Sequence, residues 1–427
     1  MVVSPAPGGL LGTVRVPGDK SISHRALLMA ARAEGASRIE GLSDGLDVLA
    51  TLRAIECFGA AVSRPVGTAG TVTVEGGRAC LHEPEAVIDV GNSGTGIRLL
   101  AGWAAAVEGL TVLCGDQSVS RRPMERVAGP LRLMGARVDG RDGGRLPPLV
   151  VRGGGLTGID YQLPVPSAQV KGAILLAALA AQGPTTVREA TPTRAHTEEM
   201  LRSFGADVSQ GPGWVSVQPG PLSPCHLRVP GDPSQAAFWV VAACITPGSD
   251  LTVEGIYVGP SRAGFLDVLR RMGADVETTG GDPVARTASV RARHSQLQAT
   301  TVAGEEVPGL IDEIPVLAVA AAYAAGETHF RDASELRVKE SDRVATTVRA
   351  LEALGARARP TDDGLVVEGG EGRRLAGGVV DAAGDHRIAM SAAVAALAGA
   401  GPVRVSGWEA VATSYPNFEE DLRKCVS

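Results

Sequence analysis

Three stretches of this chain set charged and hydroxyl side chains at the start of long apolar runs. "PGDKSISHRALLMAA" places Lys20, Ser21 and Arg25 there, "GNSGTGIRLLAG" places Asn92, Gly94 and Arg98, and "VPSAQVKGAILLAALAA" places Ser167, Ala168, Gln169 and Lys171. A helix opening on such a turn needs one Ser, Thr, Asp or Asn as its cap. It gains nothing from a cation, because its N-terminus is already electropositive. Lys20, Arg25, Arg98, Lys171 and, in "GDHRIAM", Arg387 therefore require something negative nearby. Free backbone N–H groups, close-approach glycines and fixed cations are the parts of a phosphate or carboxylate site. Two more stretches add to the set. "GDQSVSRRPMERV" carries Arg121 and Arg122, and "RVKESDR" packs Arg337, Lys339, Glu340, Asp342 and Arg343 into seven residues. Alone, the first reads as a helix start and the second as a solvated charged face. The acidic pair Asp312 and Glu313 in "GLIDEIP" reads, alone, as helix capping.

Two phrases recur along the chain and supply the elements that hold these residues. "FGAAV" at 58 returns as "MGARV" at 134, "FGADV" at 204, "MGADV" at 272 and "LGARA" at 354. Each follows apolar residues at helical spacing, sets glycine where a helix C-cap falls, and leads into an alternating segment such as "TVTVEG" that reads as a strand. The second phrase, a turn rich in Pro, Gly, Ser and Asp followed by a small-residue apolar helix, occurs six times, beginning near 17, 91, 164, 229, 309 and 384. The spacing of about 70 residues exceeds the 20 to 50 of common solenoids and implies a small α/β subdomain as the unit. Helices of the second phrase are apolar all round and must be enclosed, whereas those of the first carry a polar face and lie outside.

Composition narrows the classes. A chain of 427 residues, 44% hydrophobic and 21% charged, is a soluble globular protein of two or three domains. Its formal net charge of −6, without a run of five Lys or Arg, excludes a broad nucleic-acid surface. Six cysteines without C-x-x-C pairing, no leader-like start and no apolar stretch of spanning length predict a cytoplasmic protein without a membrane anchor. His24 and His386 stand far apart and outside any Cys/His cluster, which predicts hydrogen-bonding roles and no metal site.

Taken together, "PGDKSISHRA", "GNSGTGIRLLAG", "RRPMERV", "VPSAQVK", "RVKESDR" and "GDHRIAM" resemble the 5-enolpyruvylshikimate-3-phosphate synthase family over essentially the whole chain. The resemblance implies a two-domain inverse α/β barrel of six βαβαββ units, three per domain, with buried helices turning their N-termini to the interdomain cleft. It places residues 1–19 and 232–427 in one discontinuous domain and 20–231 in an inserted one, with hinges near 19–20 and 231–233. It implies transfer of the enolpyruvyl group of phosphoenolpyruvate to the 5-hydroxyl of shikimate 3-phosphate by a monomer, without cofactor or metal.

By the same resemblance, Lys20, Ser21, Arg25, Ser167, Ala168, Gln169, Arg194, Asp312 and Lys339 bind shikimate 3-phosphate. Lys20, Asn92, Gly94, Arg122, Gln169, Arg343 and Arg387 bind phosphoenolpyruvate. Asp312 serves as base, and Glu340 and Lys20 take part in proton transfer. Ala168 replaces a serine of some members and would bond through its backbone only. Thr413 and Ser414 stand where some relatives carry a further lysine. Gly94 leaves room for the inhibitor glyphosate, although Leu99 replaces a proline of some members. Two alternatives stay open: a UDP-N-acetylglucosamine enolpyruvyl transferase, which would need a cysteine in "GDQSVSR" that is absent, and a non-catalytic repeat scaffold or sensor.

Overall fold

A computed structural model describes residues 1–65, 70–370 and 372–426. Among them are twelve α-helices of eight or more residues, and they alternate between two kinds. The odd-numbered helices are α1 (Lys20–Arg32), α3 (Gly94–Ala105), α5 (Ala168–Ala178), α7 (Pro233–Ile245), α9 (Ile314–Tyr323) and α11 (His386–Leu397). The even-numbered ones are α2 (Leu46–Cys57), α4 (Glu125–Leu133), α6 (His196–Ser203), α8 (Gly264–Arg271), α10 (Arg343–Ala353) and α12 (Phe418–Cys425). Every residue of α7 and α11 is buried, and α9 is buried from Ile314 to Ala322. Such helices have no polar face to offer water, and each enclosed Leu, Ile or Val contributes roughly 1.5–3 kcal/mol. The even helices bury one face only, as the apolar spacing of the first phrase requires.

The chain forms two compact units, Met1–Pro17 with Pro230–Ser427, and Gly18–Val229. Each has three sheets. In the sheet built around α5, Asp160–Gln162 runs parallel to Thr185–Arg188, and Trp214–Val217 pairs antiparallel with both Thr185–Arg188 and Val208–Gly211. This parallel, antiparallel, antiparallel order recurs in five four-stranded sheets and defines a βαβαββ unit. The sixth sheet has three strands: Gly378–Asp381 parallel to Val403–Ser406, and Val2–Val3 antiparallel to the latter. Leu11–Val14 likewise pairs in parallel with Asp250–Tyr257. The first seventeen residues thus complete two sheets of the unit that Pro230 resumes. Within Gly18–Val229, His226–Arg228 returns to pair with Gly35–Glu40 and completes that sheet from the far end of the stretch.

The glycine of the first phrase does what its position predicts. Gly59, Gly135, Gly205, Gly273 and Gly355 all have positive φ, between 79° and 105°. At Gly59, its N–H donates to the Glu56 carbonyl while that of Ala60 donates to Ile55, and the same pair of bonds recurs at the other four. This double closure satisfies the last carbonyls of the helix, and a side chain would oppose the left-handed backbone it needs. A different constraint acts at Gly102 inside α3, where a Cβ would fall 2.1 Å from the Ala173 carbonyl oxygen of α5. Backbone of one inner helix lies directly on backbone of the next, so only glycine fits.

At the other helix ends, Asp19, Ser93, Ser167, Asp232 and Asp385 cap α1, α3, α5, α7 and α11 through side-chain oxygens. Asp19 fills this position at α1, which leaves Ser21 inside the first turn. Helix α9 alone of the inner six has no side-chain cap and is entered through a short 3₁₀ turn, Ile311–Glu313. The six cysteines are all free, and among the described residues no helix is long and apolar enough to cross a membrane.

Candidate active site

In the Gly18–Val229 unit the predicted residues gather at the first turns of α1, α3 and α5. Lys20 makes an ion pair with Asp47 at 2.9 Å. Arg25, 2% exposed, donates to Thr197 Oγ1 at 2.7 Å, to the Ser21 carbonyl at 2.9 Å and to the Ala168 carbonyl at 3.1 Å. Burial lowers its pKa to about 10, opposed by Glu198 and Asp19 and assisted by Arg194, so the guanidinium stays charged at neutral pH. Ala168 thus engages through backbone, and the Ser167 hydroxyl is occupied in capping α5. Gln169 accepts from Arg98 at 2.6 Å and donates to Thr95 Oγ1 at 2.9 Å, which fixes its amide between α3 and α5.

Asn92 donates to Asp116 at 2.6 Å. Buried Arg122 donates to Ser118 Oγ at 3.1 Å and lies so close beneath Gly94 that a Cβ there would come within 1.9 Å of its Nη1. Lys171 is a different case from the one its helix position implied. Its ammonium is fully buried and answered from within the protein by Glu189 and Glu198, each at 2.8 Å. It needs no external anion.

His24 lies buried between Thr51 Oγ1 at 2.7 Å and Ser93 Oγ at 3.5 Å, a hydrogen-bonding role. Burial first, then the charges of Lys20 and Arg25, hold its pKa well below 6.5. The unfolded chain binds this proton near pH 6.5 and the folded chain refuses it, so stability is full above that pH and falls as pH drops through it. Denaturant unfolding of the His24→Gln chain should show the missing slope. Below pH 6 the parent is expected to lose up to about 1.4 kcal/mol per pH unit more than the variant. Parallel profiles would exclude a buried neutral imidazole.

In the other unit the predicted residues converge on one side chain, Arg343, which is 1% exposed. Its Nε donates to Asp385 Oδ2 at 2.8 Å, its Nη1 to Asp312 Oδ1 at 3.2 Å, and its Nη2 to Glu340. Burial opposes its charge, but Asp385, Glu340 and Asp312 together outweigh that and raise its pKa. Lys339 also pairs with Asp312 Oδ1, at 3.4 Å, while Arg387 holds the Asp312 carbonyl at 3.0 Å. Asp312 is therefore a carboxylate faced by two cations and fixed at its backbone by a third. His386 Nδ1 meets Thr413 Oγ1 at 3.1 Å, and Ser414 is buried, so where some relatives carry lysine this chain has neutral groups packed inward.

Sequence reasoning missed Arg262 and treated Glu313 only as an ordinary capping residue. Arg262 is 2% exposed and donates to Asp232 at 2.6 Å and to Ser234 Oγ at 2.7 Å, with Glu313 at 3.4 Å. The available signal was positional, since Arg262 in "GPSRAG" occupies the loop between second strand and outer helix that Arg122 occupies in its own repeat. Among the described residues no group of three or more His, Cys, Asp or Glu side chains could hold a metal.

Six β and α repeats in two units, with cations and carboxylates at the inner-helix starts, define an enolpyruvyl-transferase fold. The enolpyruvyl transferase NikO from Streptomyces tendae shares it at a TM-score of 0.79 and 22% identity, over 99% of this chain and 96% of that one. EPSP synthase from Acinetobacter baumannii matches at a TM-score of 0.87 and 42% identity, over 100% and 98%. The 3-phosphoshikimate 1-carboxyvinyltransferase of Synechococcus sp. (strain RCC307) is 49% identical over 98% of this chain and 97% of its own length. Residues 5–422 match the family described as EPSP synthase (3-phosphoshikimate 1-carboxyvinyltransferase), and the chain belongs to that family.

Proposed function

We propose that this chain transfers the enolpyruvyl group of phosphoenolpyruvate to the 5-hydroxyl of shikimate 3-phosphate and releases phosphate, by addition and elimination through a tetrahedral intermediate. The observation that carries the reading is Asp312, a partly exposed carboxylate held by Lys339 and Arg343, with its backbone carbonyl held by Arg387. A scaffold has no use for a carboxylate so directed, whereas an enzyme needs one to orient a hydroxyl and accept its proton. Glu340 and Lys20 complete the proton-transfer set, because the vinyl carbon must gain a proton as the new C–O bond forms.

Lys20, Ser21, Arg25, Ser167, Ala168, Gln169, Arg194, Asp312 and Lys339 are assigned to shikimate 3-phosphate. Arg25 stays charged despite its burial and Ser167 and Ala168 open a helix, the surroundings a phosphate or carboxylate prefers. Lys20, Asn92, Gly94, Arg122, Gln169, Arg343 and Arg387 are assigned to phosphoenolpyruvate, whose two anionic groups suit planar guanidinium forks. The chain crossings near 19–20 and 231–233 are assigned as hinges. Free cysteines throughout fit a reducing cytoplasm, and the family resemblance carries a monomeric state with it.

The strand Gly109–Cys114 ends at its cysteine, and residues 115–121 contain none, so the UDP-N-acetylglucosamine reading lacks its expected thiol. A phosphate-release assay with phosphoenolpyruvate and either acceptor is the direct test. Phosphate should appear with shikimate 3-phosphate and not with UDP-N-acetylglucosamine. Release with the sugar nucleotide, or with neither acceptor, would overturn the assignment.

A further inference from the structure

We infer that Arg262 and Glu313 are positioning residues for Asp312, a role that rests on the reading of Asp312 as the hydroxyl-directing base. Asp312 and Glu313 are neighbours in the 3₁₀ turn Ile311–Glu313 that enters α9. Successive residues of such a turn point about 120° apart, so fixing one side chain fixes the direction of the other. Glu313 occupies the N-cap position of α9 but does not cap it. Fully buried, it turns instead to Arg262 and Ser234, which both donate to its Oε1. Its Oε2 makes no hydrogen bond among the described residues.

Two buried arginines hold the turn at two of its three residues, and both are rooted in the same way. Arg343 binds Asp312 and the Asp385 cap of α11. Arg262 binds Glu313 and the Asp232 cap of α7. The direction of Asp312 is thereby referred to the first turns of both inner helices beside α9. A buried ion pair is a poor choice for stability alone, since apolar residues of similar volume usually serve as well. A pair that joins a reacting carboxylate's own turn to a rigid helix start supplies geometry, and a displacement of about 1 Å at such a group can cost on the order of a hundredfold in rate.

Glu313→Asp keeps the charge and draws the carboxylate back by one methylene, pulling on the turn without leaving Arg262 unpaired. In the full chain, by phosphate release, it should lower kcat about tenfold and change either KM by less than about threefold. Combined with Asp312→Asn it should lower kcat by less than about twofold further, because a residue that acts through Asp312 has nothing left to act on. An equal loss in both backgrounds, or unchanged kcat in the single variant, overturns the inference. A near-normal Asp312→Asn chain instead removes the base reading by itself. Arg262→Gln with Glu313→Gln, a neutral pair, provides a second check. A chain of parental melting temperature with parental kcat refutes positioning, and one with kcat down about tenfold supports it. Should this pair fail to fold, the Glu313→Asp comparison decides.

Discussion

An Asp312→Ala chain is expected to bind phosphoenolpyruvate as the parent does and to turn over at least about a hundredfold more slowly, the scale of a lost acid-base group. The site permits so clean a separation because the Asp312 side chain is partly exposed and is not what holds its neighbours in place. Arg343 keeps Asp385 and Glu340 when it is removed, and Arg387 holds the Asp312 carbonyl, which alanine retains. Binding measured by calorimetry and turnover by phosphate release should therefore part company. Turnover within a few-fold of the parent would remove the base assignment and leave Asp312 as a structural partner of Lys339 and Arg343.

Arg343→Met should act on the fold first. Asp385 is fully buried and Glu340 partly so, and each would lose the guanidinium that answers its charge. Breaking a buried pair from one side costs about 3–5 kcal/mol, since the charge left behind is unsolvated and unpaired. For a unit of this size that is a fall of roughly 10 °C in melting temperature. Arg343→Lys should recover only part of it, because an ammonium cannot reach three carboxylates that a planar fork spans. A methionine chain that melts with the parent would show that the three carboxylates are stabilised by something other than Arg343.

What could be read in advance follows from how local each signal is. The glycines at 59, 135, 205, 273 and 355 announce helix ends because a left-handed residue after a helix is a demand made by its immediate neighbours. The inner helices are legible because enclosure on all sides makes them almost wholly apolar, with few polar residues beyond the first turn. Lys20, Arg25 and Arg387 stood out as charges where capping did not need them, whereas Asp312 read alone as a cap and Arg343 as part of a solvated face, and only the resemblance of their motifs marked them. Arg262 did not stand out, because "GPSRAG" has the composition of a surface loop, and its burial comes from Asp232, Ser234 and Glu313, thirty to fifty residues away. Lys171 drew attention for a reason that Glu189 and Glu198 supply internally. Val2–Val3 pairs with residues some four hundred positions on, a separation that no local pattern records.

That last pairing sets an order of assembly during synthesis. The ribosome makes Gly18–Val229 as one uninterrupted stretch, and its last strand is His226–Arg228, so this unit is complete before most of the other is made. Val2 meets Arg404 only after about 400 further residues, roughly 20–80 s at ordinary elongation rates. For that interval Val2–Val3 has no partner strand to pair with. The unit that carries Asp312 and Arg343 is thus the last to be sealed, by a strand made some 400 residues before its partner.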